Sequence, residues 1–198
     1  IDPIVMAARF VLDLQTIISR ENAPLDPAVI TVGAIHAGTK HNIISDRCHL
    51  QITVRSYKPE VREKLLKAIE RKAKATAESA GAVAPKVEFS DYTPALRNDE
   101  ALVERLVPVF AGAIGADNVQ SADQSLGGED FSAFGLAGVP VSQCRLGSVA
   151  VDRLKKFKDA GEEPPSLHSP FYYPDPELTL KTGMTAMIAA CEDLFGVK

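Results

Sequence analysis

The order in which the apolar periods change along the first half of this chain constrains its fold more than any single residue. Asp2-Pro3 supplies a capping carboxylate followed by proline in a first helical turn, and Ile4, Ala7, Ala8, Val11, Leu14 and Ile18 keep helical spacing behind it. Residues 22–27 break that pattern. Residues 29–35 are β-branched and alternating, Gly38 and Asn42 mark a turn, and residues 48–54 give a second strand ending in Arg55. Pro59 opens a long helix whose stripe is Val61, Leu65, Ile69, Ala73 and Ala77, closed by Gly81. Residues 83–92, with Pro85 early among them, predict a third strand at a sheet edge.

Helix, strand, strand, helix, strand becomes the ferredoxin-like, split βαβ sandwich once a strand is placed in front. That strand would lie mid-sheet, and without it a central row of backbone donors and acceptors would go unpaired. We therefore expect a segment upstream of Ile1. Beyond Thr93-Pro94 the pattern changes. Residues 100–114 predict a helix, 118–121 a short strand, 126–134 a glycine turn into a short helix, and 139–144 a buried strand. Residues 147–170 read as irregular. Asp175-Pro176 then caps a closing helix with Leu178, Leu180, Met184, Met187, Ile188 and Leu194 on its apolar side. Two strands are too thin a sheet for an independent α/β domain, so the rest is expected from elsewhere. The reading is an α+β part over residues 1–93 and part of an α/β domain over 94–198.

Composition narrows the function classes. The 198 residues are 45% hydrophobic and 24% charged, with a net charge of −4 and no extended basic stripe, which argues against a nucleic-acid partner. No apolar run approaches the roughly 18–20 residues that span a bilayer, so no membrane partner is expected. The chain opens Ile-Asp-Pro without a leader pattern and without Met, as a trimmed chain would. Cys48, Cys144 and Cys191 are odd in number and far apart, which predicts reduced thiols in a cytoplasmic protein.

Chemistry-bearing residues are few. His36, His41 and His49 cluster around the first hairpin, while His168 stands alone in Leu-His-Ser-Pro-Phe. There is no HExxH and no nucleophile elbow. A catalytic zinc uses about three protein ligands, and His168 with Glu129 or Asp130 does not supply them unaided. His168 is either an exposed loop histidine or a ligand held beside a proline-fixed backbone. In Gly127-Gly128-Glu129-Asp130-Phe131, the acids either cap a helix N-terminus or line a cleft whose backbone approaches a ligand. Asn42 either takes a left-handed turn conformation or offers its amide to a carboxylate or carbonyl.

Taken together, these segments resemble the M20 metallopeptidase/amidohydrolase family, in the branch of hippurate hydrolases and N-acyl-amino-acid amidohydrolases. The resemblance runs in order through Ile1-Asp2-Pro3-Ile4, Val29 to Gly33, Gly38-Thr39, Asn42-Ile43-Ile44-Ser45-Asp46, the strand ending in Arg55, the Gly-Gly-Glu-Asp-Phe-Ser run and Leu167-His168-Ser169-Pro170. His41 and Ser45 depart from the small or proline residues frequent at those places. The resemblance implies a ferredoxin-like lid and dimerisation domain over 1–93, then the C-terminal part of a zinc-peptidase-like α/β catalytic domain. It also implies two divalent metals, commonly zinc, with manganese, cobalt or nickel as alternatives, and His168 as one ligand. The remaining ligands, a glutamate general base and the lid histidine that polarises the scissile carbonyl fall upstream, about 180–200 residues being expected there.

By the same resemblance Asn42, Arg55 and Glu129 lie near substrate, Arg55 at a frequent strand-end position. The implied partner is a small N-acyl amino acid, with a homodimer formed through the lid. Bridging metals would activate water, the upstream glutamate would take its proton, and lid donors would stabilise the oxyanion. These 198 residues alone are expected to be inactive. The competing reading is a non-catalytic ferredoxin-like dimerisation or ligand-binding module.

Overall fold

The computed structural model describes residues 1–90 and 92–196, which form two compact units. Unit 1 comprises Ile1–Leu96 with Gln124–Ala137, and unit 2 comprises Arg97–Asp123 with the chain from Gly138 onward.

Unit 1 begins with α1 (Pro3–Thr16), where the Asp2 carboxylate accepts the Ile4 N–H at 2.9 Å as the sequence predicts. A single π-helical turn, Ile17–Glu21, continues it. Its buried face is Ala7, Phe10, Leu14 and Ile17. Ala8, assigned to that face by sequence, is exposed, and Val11 and Ile18 are only half-buried. The larger Phe10 and Ile17 remove more apolar area from water, and they turn the helix toward themselves.

Strands β1 (Ala28–Ala37) and β2 (Cys48–Ser56) pair antiparallel, with Ile30 opposite Val54 and Val32 opposite Ile52. The register shifts between Val32 and Ala34, so Gly33 is the extra residue of a bulge. Helix α2 (Pro59–Ser79) buries all five residues of its predicted stripe. It ends in a Schellman closure: Gly81 at φ 64° donates to the Glu78 carbonyl at 3.0 Å, and Ala82 to the Ala77 carbonyl at 2.9 Å. Both helices pack on β1–β2, and Phe10, Leu14, Ile17, Ile30, Leu65 and Ile69 form the heart of the core.

The mixed α/β class holds, yet three predicted strands do not form among the described residues. Residues 83–92 carry no ladder, although Val87 packs against the core; Asp91 lies outside the described residues. Pro85 has no N–H to give a neighbouring strand. Residues 118–121 follow a 3₁₀ turn, Ala116–Asn118, instead of pairing. Residues 139–144 keep the predicted burial at Val141, but their backbone is satisfied by a substitute. The Val141 carbonyl accepts the Asp99 N–H at 2.8 Å, and the Asn98 amide brackets Gln143 with two bonds of 2.9 Å. An asparagine side chain thus does what a strand edge would do.

Unit 2 is built on α3 (Glu100–Ile114), capped by Asp99, whose carboxylate accepts the Leu102 N–H at 2.8 Å. In unit 1, α4 (Ser132–Leu136) is the short helix predicted after the glycine turn. Helix α5 (Val151–Ala160) forms where an irregular stretch is predicted. Helix α6 (Pro176–Phe195) packs against α3, tied by Arg105 to the Asp193 carboxylate at 2.7 Å. Asp175 holds the α6 N-cap position without capping it. Its carboxylate instead accepts the Ala150 N–H at 2.6 Å and pairs with Arg153 at 3.3 Å.

Candidate functional site

Two of the predicted site residues of unit 1, Arg55 and Glu129, meet at the Gly-Gly turn, and Asn42 does not join them. Strand β2 delivers Arg55, opposite Val29 in the ladder, to the strand end. From there its Nη1 donates to the Leu126 carbonyl at 2.6 Å, joining segments 71 positions apart. Leu126 directly precedes Gly127-Gly128, so Arg55 reaches the root of the acidic loop. Within the loop Ser125 Oγ accepts the Gly127 N–H at 3.1 Å, and Glu129 Oε1 accepts the Phe131 N–H at 3.1 Å. Ser132, buried, closes the turn by donating its hydroxyl to the Glu129 carbonyl at 2.7 Å. Glu129 therefore braces the entry to α4, as an acid before a helix does, while Asp130 beside it is exposed. The Leu126 carbonyl is a backbone acceptor, which no side-chain pattern announces.

Asn42 sits in the exposed turn between the strands, where the Ile43 N–H meets the Lys40 carbonyl at 3.3 Å. It is not left-handed; in that loop Gly38, at φ 73°, carries the positive angle. The Asn42 amide thus faces solvent on an ordinary backbone. His36 and His49 are direct cross-strand partners with rings stacked at 6.4 Å, and His41 is exposed in the same turn as Asn42. Cys48 is half-buried beside that pair, and burial pushes its thiol pKa up, which keeps it protonated.

His168 belongs to unit 2. At φ 72° it is the one non-glycine residue with a positive φ among those described. That conformation is costly for a Cβ-bearing residue and is held by the turn that follows, where the Ser169 N–H meets the Ser166 carbonyl at 3.0 Å and the Tyr172 N–H meets the Ser169 carbonyl at 3.0 Å. Tyr172 in turn shares a 2.5 Å hydroxyl bond with Ser148. No three His, Cys, Asp or Glu side chains gather as a ligand set among the described residues. The residues present therefore do not by themselves fit a dinuclear metal centre; His168 could give one ligand of it.

The fold is thus a helix-covered hairpin followed by a helical unit whose histidine loop holds a positive φ at His168. Residues 1–80 match the family model described as the peptidase dimerisation domain, M20_dimer. The chain is 38% identical over 131 residues to N-acetyldiaminopimelate deacetylase of Lactococcus lactis, covering 66% of this chain and 34% of that protein. It is 33% identical over 134 residues to N-acetylcysteine deacetylase of Bacillus subtilis, covering 68% and 34%. Its structure superposes with a TM-score of 0.68 and 26% identity on the Bacillus subtilis YXEP protein, described as a dinuclear metal-binding peptidase of the M20 family. That match covers 98% of this chain and 46% of the other. Residues 1–80 carry the dimerisation domain of the M20 peptidases, and the chain spans about a third of the length of the curated relatives it matches.

Proposed function

We propose that this chain is the lid (residues 1–93) and the C-terminal catalytic part (residues 94–198) of a metal-dependent amidohydrolase. Its substrates are N-acyl amino acids, hippurate-type compounds among them. The observation that carries this reading is the match of residues 1–80 to the dimerisation domain together with identity to two N-acetyl-amino-acid deacetylases. Asn42, Arg55 and Glu129 serve the substrate side, and His168 gives one ligand to a pair of divalent metals, zinc by preference. The other ligands and the general base belong to the part of the relatives' length that this chain does not span. The uncovered apolar side of α6 supports this: Met184, Met187 and Ile188 are more than half exposed, as a helix awaiting the rest of a domain would be. The enzyme is a homodimer through the lid. Its free thiols suit the cytoplasm, and no helix among the described residues is long and apolar enough to cross a membrane.

The test is to compare the zinc-loaded full-length enzyme with its His168→Ala variant on N-acetyl and N-benzoyl amino acids. Loss of bound metal and a drop of about 100-fold or more in kcat are expected from removing a ligand. Unchanged metal content and turnover would remove His168 from the site.

A further inference from the structure

We propose that Arg55 is a positioning residue, which holds the Gly127-Gly128-Glu129-Asp130 loop in place through the Leu126 carbonyl and does not serve as the ligand of a substrate carboxylate. This rests on the functional reading above only for what the loop does, not for how it is held.

Two adjacent glycines give the loop the most conformational freedom the backbone can have, and no side chains at that point with which to pack. The bonds that Ser125 Oγ and Glu129 Oε1 accept from the Gly127 and Phe131 amides are local, each spanning two positions, and they shape the turn. The bond from Arg55 anchors the turn, because its donor is a long-range partner on a rigid hairpin. The guanidinium offers a charged donor to a neutral carbonyl, a stronger bond than one between neutral groups. It meets the chain at the last residue before the freedom begins. Placed there, one bond limits the swing of the loop at its root, while Ser132 and the Phe131–Phe134 ring pair at 5.5 Å close the turn locally into α4. A loop held at its root narrows the range over which Glu129 and Asp130 can move, which a site built on a loop requires.

Hydrogen exchange on the 198-residue chain reads the clamp directly. Arg55→Met keeps the aliphatic stem and removes the donors. The Gly127, Phe131 and Ala133 amides should then exchange about five- to tenfold faster, with the β1–β2 ladder amides unchanged. Arg55→Lys, which restores a charged donor, should recover at least half of that protection. The zinc-loaded full-length enzyme supplies the second arm, on an N-acyl amino acid and on the same compound with its carboxylate replaced by carboxamide. A positioning role lowers kcat for both substrates alike and leaves the acid's KM within about twofold. A rise of tenfold or more in KM for the acid alone would show that Arg55 binds the carboxylate and overturn the proposal. Unaltered exchange in Arg55→Met would overturn it equally. Should the wild-type enzyme hydrolyse neither substrate, the amidohydrolase reading fails, and the exchange arm still decides the clamp.

Discussion

Helices α2 and α6 are near twins in sequence terms, with 21 and 20 residues, proline at the first turn and a left-handed glycine just past the end. Each carries an apolar stripe. On α2 that stripe is the core of unit 1, with Leu65 at 0% exposure and Ile69 at 4%. On α6 Met184 is 62% exposed, Met187 65% and Ile188 54%, while Ala190 alone is buried. Periodicity therefore announces a face, and a partner decides whether that face becomes a core. Unit 1 contains its own partners, since α1 and β2 both meet α2 and Ile30 of β1 joins the same core; α6 meets α3 along one side and leaves the rest in water.

The sharpest way to break this comparison is to truncate one stripe at a time. Leu65→Ala opens a cavity in a closed core and should destabilise unit 1 by about 2–5 kcal/mol in urea unfolding. Met184→Ala should stay within about 0.5 kcal/mol, as a surface substitution does. Equal costs would mean that α6 is as well covered as α2. A second probe exploits the misdirected cap. Asp175→Ala removes the acceptor of the Ala150 N–H and the partner of Arg153, so it should fray the start of α5 rather than α6. The expected cost is about 1–2 kcal/mol, visible as faster exchange in residues 151–155.

The smallest effects are the surface charges of unit 1. The Lys67 ammonium, by hydrogen bond and then by charge, holds the Glu63 carboxyl below the ordinary range. Being depressed in the folded chain, Glu63 contributes stability above the normal carboxylate pKa, and that contribution is lost as pH falls through its lowered value. Lys58 is raised, first by its hydrogen bond to Asp26 and then by that charge, so its contribution is present below the ordinary lysine pKa and lost as pH rises through the folded one. Both groups are fully exposed and screened. Glu63→Gln should flatten only the acid limb of the pH–stability curve of unit 1, and slightly.

Legibility in the sequence followed the same division. The α2 stripe, the Asp2 cap and the Gly81 stop are local physics, and residue patterns show them directly. The face of α1 turned because Phe10 and Ile17 find the core that Ala8 and Val11 do not. Helix α5 was masked: Val151, Leu154 and Phe157 are a narrow stripe among seven other, mostly charged residues, with Gly161 and two prolines close behind. The strands at 83–92, 118–121 and 139–144 depend on neighbours that no local pattern can supply. The candidates Asn42, Arg55, Glu129 and His168 came from motifs and from the family resemblance. The bond of Arg55 to a backbone carbonyl 71 residues away could not, because a carbonyl carries no sequence signature.

Unit 1 closes its own core, whereas α6 stands as an uncovered face. Native-state hydrogen exchange on this chain, resolved over α2 and α6, tests that contrast most directly. Amides of residues 65–73 should exchange at least about 100-fold more slowly than those of residues 184–190. Equal protection of the two helices would contradict it, and would remove the structural support for α6 as part of a larger catalytic domain.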